Sequence, residues 1–109
     1  MNLGILEDNM MVAAPLLDLA RQRGFAVEVW RTADEALSRL DAVQPTHVLL
    51  AMRLVTRPLA ERVVQNGVKT AAYGPHVEGA MFQTMRQWGI SAVWPNSRIQ
   101  DKYPAWLSS

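Results

Sequence analysis

"HVLLAM", residues 47 to 52, runs through five consecutive apolar positions after its histidine and follows Pro45 directly by one residue. A stretch without polar alternation is buried on both faces, and strands of that kind belong to parallel sheets covered by helices on either side. The flanking sequence supplies those partners. Downstream, Thr56 to Gln65 carries Leu59 and Val63 four apart and ends at Gly67, the pattern of a short helix. "VKTAAY" (68 to 73) follows as a strand, and Gly74-Pro75 breaks the chain. Val77, Met81, Met85 and Trp88 fall at helical spacing before Gly89, "ISAVW" (90 to 94) is another strand, and the stretch after Pro95 is one short helix holding Tyr103, Trp106 and Leu107.

The upstream half alternates in the same way. Leu3 to Leu6 is a brief apolar run ended by Glu7, Asp8 and Asn9, and it reads as the first strand. Asn9 caps a helix with Val12, Leu16 and Leu19 on one stripe, which Gly24 stops. Pro15 removes a bond inside that helix, so a kink or a late start is expected. Phe25 to Trp30 is the second strand. Thr32 and Glu35 form a capping box ahead of Ala36, Leu37, Leu40 and Val43. Five strands separated by helices define an α/β, doubly wound, three-layer sandwich on a five-stranded parallel sheet, folded as one domain over residues 1 to 109.

Composition narrows the function classes. The 109 residues include 11 basic and 10 acidic side chains spread along the chain, with no Lys/Arg block that tracks a phosphate backbone, so nucleic acid is not an expected partner. Cysteine is absent, which removes disulfides, a thiol nucleophile and thiolate zinc ligation. The start, MNLGILEDNMM, lacks a basic leader and a long apolar segment, so the expected setting is cytoplasmic, without a membrane partner. No Gly-rich phosphate loop and no Ser-His-Asp set is present.

Ligand sites of such sheets lie beyond the carboxyl ends of the strands. The residues there are Glu7 and Asp8, Ala51 and Met52, Tyr73 and Gly74, and Trp94 to Asn96. With its acidic pair after strand 1, "PTHVLLAM" as strand 3 and "GISAVWPNS" around strand 5, the chain resembles a receiver domain of bacterial response regulators over nearly its whole length. The resemblance implies a flavodoxin-like sheet in the order 2-1-3-4-5, here with a shortened last helix. It also implies Mg²⁺ on the acidic pair and a phosphoryl group taken from a histidine kinase onto an Asp at the end of strand 3.

That phosphoacceptor position falls on Ala51, whose methyl group cannot attack phosphorus, and neighbouring Met52 and Arg53 bring no carboxylate. The family's lysine falls on Asn96, or on Trp94 if Pro95 is matched to the family's proline, and its hydroxyl residue falls near Tyr73 or Gly74. The sequence therefore describes a degenerate pseudo-receiver. Glu7 and Asp8 are expected to serve structurally, with at most a weak, vestigial Mg²⁺ site and no other cofactor.

Two other stretches bear on function. "YGPHVEG" (73 to 79) leads into a helix, so Gly74 and the backbone near His76 are an anion-binding candidate, and His76 with Glu7 or Asp8 is a remote acid/base pair. His47 reads as a strand-start residue. Trp88, Trp94, Tyr103 and Trp106 lie in the last quarter, and core filling competes with an interface role. A short final helix is expected to leave apolar surface near Trp94, which a homodimer would cover. The expectation is a non-enzymatic, receiver-like signalling or scaffold protein that acts by phosphorylation-independent binding to a partner protein or to itself. A sensor of a metal or small anion at the carboxyl end, or a regulator that still switches, is the alternative.

Overall fold

The computed structural model describes residues 1–109. All of β3 (His47–Ala51) is buried, as its unbroken apolar run requires. It sits at the centre of a five-stranded sheet with β1 (Asn2–Leu6), β2 (Ala26–Trp30), β4 (Lys69–Gly74) and β5 (Ala92–Pro95). The strand order is β2-β1-β3-β4-β5, and every pairing is parallel. The expected topology is therefore present.

Four helices connect the strands, α1 (Met10–Gln22), α2 (Ala33–Val43), α3 (Arg57–Gln65) and α4 (Gly79–Gln87), and a fifth, α5 (Ile99–Ser108), follows β5. They divide the core into two layers. Leu40 of α2, Leu59 and Val63 of α3 and Met85 of α4 pack with Leu6, Leu50 and Trp30 on one face of the sheet. Leu16 and Ala20 of α1 and Tyr103, Trp106 and Leu107 of α5 pack with Ile5, Leu49 and Trp94 on the other. Gly4 is required at its place in β1, because a Cβ there would lie 2.0 Å from the Trp30 ring.

The caps follow the sequence. The Asn9 side chain accepts from the Met11 N–H, Thr32 from Glu35 N–H and Thr56 from Leu59 N–H, each satisfying an orphan donor of the first turn. Glu35 Oε2 in turn accepts from the N–H of Arg31, closing the α2 entry from both directions. Helix α1 does not start late despite Pro15. Pro15 and Met11, whose carbonyl it leaves without a helical partner, are both exposed, so the lost bond lies on the solvated side.

Two expectations are corrected. Val77 does not belong to the α4 stripe, because Pro75 to Glu78 form a turn and the helix opens only at Gly79, leaving Val77 77% exposed. The last helix also covers what it was expected to leave bare. Although α5 has 10 residues, its Trp106 meets Trp94 edge to face at 5.8 Å, and Trp94, Tyr103 and Trp106 are all buried within the single chain. Those three fill the core of the single chain, the first of the two roles weighed from the sequence. Trp88, half-buried, packs against the opposite core layer.

Candidate functional site

The carboxyl ends of β1, β3 and β4 lie side by side because Leu6 is registered with Leu50, and Ala51 with Tyr73. The residues immediately beyond Leu6 therefore face those immediately beyond Leu50. A cavity of about 450 Å³ opens there, lined among others by Glu7, Asn9, Ala51, Arg53, Tyr73 and Asn96.

Glu7 is the buried hub of this end, 2% exposed. Its Oε1 accepts from the Tyr73 hydroxyl at 2.7 Å. Its Oε2 accepts from the Asn9 N–H at 3.0 Å and from Arg53 Nη2 at 2.6 Å. Buried carboxylates are tolerable only when their lone pairs are met in this way. Asp8, by contrast, is exposed, and its Oδ1 accepts from the same Arg53 Nη2 at 2.6 Å.

Arg53 thus bridges both acids. It stands in a short 3-10 turn, Met52–Leu54, that follows β3 directly. Met52 anchors the turn by burying its side chain, and it fills the space that a side chain at Gly74 would take, since a Cβ on Gly74 would lie 2.3 Å from Met52 Cε. The ion pairs leave an electrostatic signature. The hydrogen bond that Arg53 donates holds the Asp8 carboxyl below its usual range, and the same bond to Asp8 holds the guanidinium proton more tightly than usual. Burial, then the bond to Glu7, pushes the Tyr73 phenol far above its usual value, so Tyr73 is a fixed hydroxyl donor.

The expected sites can now be placed. Glu7, Asp8 and Ala51 converge at this end, and Ala51, 2% exposed, closes β3 with a methyl group. Gly74 lines the cavity beside them, but His76 is exposed in the turn beyond Pro75 and does not. The helix start invoked for anion binding is absent at His76 and Val77, because α4 begins at Gly79 and Glu78, an acid, occupies its cap. His76 is accordingly not gathered with Glu7 into an acid/base pair. Two contributors escaped the sequence reading: Arg53 as the cation between the acids, and Tyr73 as a hydroxyl reaching Glu7.

Mg²⁺, which the resemblance implies, does not fit this arrangement. A divalent ion demands free oxygen ligands, near-octahedral for Mg²⁺. Both Glu7 oxygens and Asp8 Oδ1 are engaged by donors, and Ala51 offers no third carboxylate. No group of three or more His, Cys, Asp or Glu side chains comes together to hold a metal. No helix is long and apolar enough to cross a membrane.

No protein-family model matches the sequence. No curated protein matches it either. Solved structures do match it in shape. A two-component response regulator from Clostridium difficile superimposes with a TM-score of 0.82 at 11% identity, over 99% of this chain and 96% of that one. The receiver domain of NtrX from Brucella abortus gives 0.77 at 14% identity, over 100% of this chain and 99% of that one. In a longer NtrX chain from the same organism the match reaches 0.80 at 13% identity, and it covers 98% of this chain but only 27% of that one. At such identities the likeness concerns the backbone. The chain has the five-stranded, flavodoxin-like fold of response-regulator receiver domains.

Proposed function

We propose that this chain is an atypical receiver-like signalling or scaffold module that works without phosphorylation, by contact with another protein. The observation that carries this reading is Ala51: the side chain ending β3 at the centre of the sheet's carboxyl end is a methyl group. It supplies neither nucleophile nor charge. The fold supports a signalling role rather than an enzymatic one, because the neighbours that share it are response regulators and receiver domains.

The surface around this end supports a protein partner. Met10 and Met11 open α1 at 45% and 87% exposure, and Val77 is exposed in the turn after Pro75. Methionine adapts its shape to an apolar partner, and exposed apolar groups gathered at one end of a domain mark contact surfaces. One observation favours a second reading, that of a small-ligand sensor. The cavity beside Ala51 brings Asn9, Asn96 and Arg53 to one mouth, a polar set that suits a small hydrogen-bonding ligand.

The test is incubation with acetyl phosphate and Mg²⁺ followed by intact-mass measurement. The chain is expected to stay unmodified. A phosphoryl adduct mapped to the residues around Glu7 and Ala51 would overturn the proposal.

A further inference from the structure

We propose that the Arg53 guanidinium is the resident cation of the sheet's carboxyl end, and that it closes the Glu7–Asp8 pair to divalent metal ions. The inference stands on the ion-pair geometry and does not rest on the functional reading above.

One nitrogen, Arg53 Nη2, lies 2.6 Å from Glu7 Oε2 and 2.6 Å from Asp8 Oδ1. A single positive group held between two carboxylates fills the place a metal ion takes when two acids share it. The charge is permanent, because an arginine side chain does not lose its proton in proteins, and Arg53 is carried on the Met52–Leu54 turn that follows β3 directly. A metal would have to displace the guanidinium or sit against it, and two cations a few ångströms apart repel.

Of the oxygens of the acidic pair only Asp8 Oδ2 is left without a donor, and one carboxylate oxygen is too few for a divalent ion. Glu7 Oε1 is committed to the Tyr73 hydroxyl, in a side chain that is itself buried. With Arg53 in place the three side chains sum to one negative charge, against two for the acids alone. The chain thereby fixes the ends of β1, β3 and β4 relative to one another through Asp8, Glu7, Arg53 and Tyr73, with no dissociable ion. An arrangement that receives its cation from solution varies with the supply of that cation; this one does not.

The experiment is a Mn²⁺ titration of the isotope-labelled protein, read as paramagnetic broadening of the amide signals of Glu7, Asp8 and Ala51. The wild type is expected to show no saturable broadening at millimolar Mn²⁺. Arg53→Gln is expected to gain saturable binding, tightened by at least about tenfold, because a repelling charge is removed. Arg53→Lys, which keeps the charge, is expected to follow the wild type, and Ala51→Asp with Arg53→Gln to bind more tightly than Arg53→Gln alone.

Saturable broadening of the wild type at these residues would overturn the inference, and that arm needs no variant to fold. So would the absence of any gain in Arg53→Gln, or a gain in Arg53→Lys equal to it. Mn²⁺ binding to the wild type without a phosphoryl adduct would sink this inference alone. An adduct would sink the functional reading.

Discussion

The Tyr73 hydroxyl donates to Glu7 Oε1 at 2.7 Å, a buried bond that ties the end of β4 to the end of β1 across the central strand. Removing that hydroxyl leaves a buried carboxylate oxygen without its donor, and an unmet buried acceptor costs about 1–3 kcal/mol. Tyr73→Phe is therefore expected to lower the unfolding free energy by that amount, measured by urea denaturation, with the fold retained. An unchanged midpoint would mean that water reaches Glu7.

The two acids are adjacent in sequence and unequal in energy. Glu7→Gln breaks the ion pair of a side chain that is 3% exposed and turns one acceptor into a donor facing Arg53 or Tyr73, so a loss of about 1–3 kcal/mol is expected. Asp8→Asn acts on a side chain that is 44% exposed, and its stability is expected to stay close to wild type. Thermal melts of the two variants at neutral pH check the order. An Asp8→Asn loss as large as that of Glu7→Gln would contradict the hub assigned to Glu7.

The buried aromatic residues give a prediction that separates core from interface. Trp106 packs against Trp94, His47 and Tyr103, and cutting it to alanine opens a cavity, with an expected loss of about 3–5 kcal/mol. Its sedimentation coefficient is expected to match that of the wild type at equal concentration. A change in association state with little change in stability would restore the interface that burial argues against.

His47 sets a pH dependence at the other end of the sheet. Its Nδ1 meets Thr46 Oγ1 at 2.8 Å, its Nε2 has no partner, and Phe25 and Trp106 stand edge-on to the ring. Burial, then the nearby charges of Lys69 and the amino terminus, hold its pKa below the usual 6.5. The unfolded chain therefore takes up the proton first as pH falls. Stability is full above pH 6.5 and declines as pH drops through the interval between 6.5 and the lower folded value. Asp8 and Glu28, held low by Arg53 and Arg39, withdraw their contributions only below their ordinary values of 3.8 and 4.5. Melting temperatures across mildly acid pH are expected to fall for the wild type and to level out for His47→Phe, while equal slopes would show that another group titrates.

The fold was legible because its signals are local. The unbroken run Val48 to Met52, the caps Asn9 and Thr32, and the stops at Gly24, Gly67 and Gly89 each act within a few residues, and the three glycines take positive φ. The site was less legible because its bonds are distant. Arg53 meets Asp8 across 45 positions and Tyr73 meets Glu7 across 66. A signal was available: in a parallel sheet whose first and third strands are neighbours, a cation just past strand 3 faces the acids just past strand 1. Trp94 and Trp106 stayed undecided between core and surface for a related reason, since composition alone does not reveal which face a terminal helix covers.

The most direct measurement is a titration of the wild-type protein with Mg²⁺ and then beryllofluoride, a phosphoryl mimic, followed through the amide shifts of Glu7, Asp8, Ala51 and Tyr73. With Arg53 between the acids and a methyl group at position 51, these signals are expected to stay unmoved by beryllofluoride. A saturable shift centred on Glu7 and Asp8 would contradict the account and show that the carboxyl end still switches.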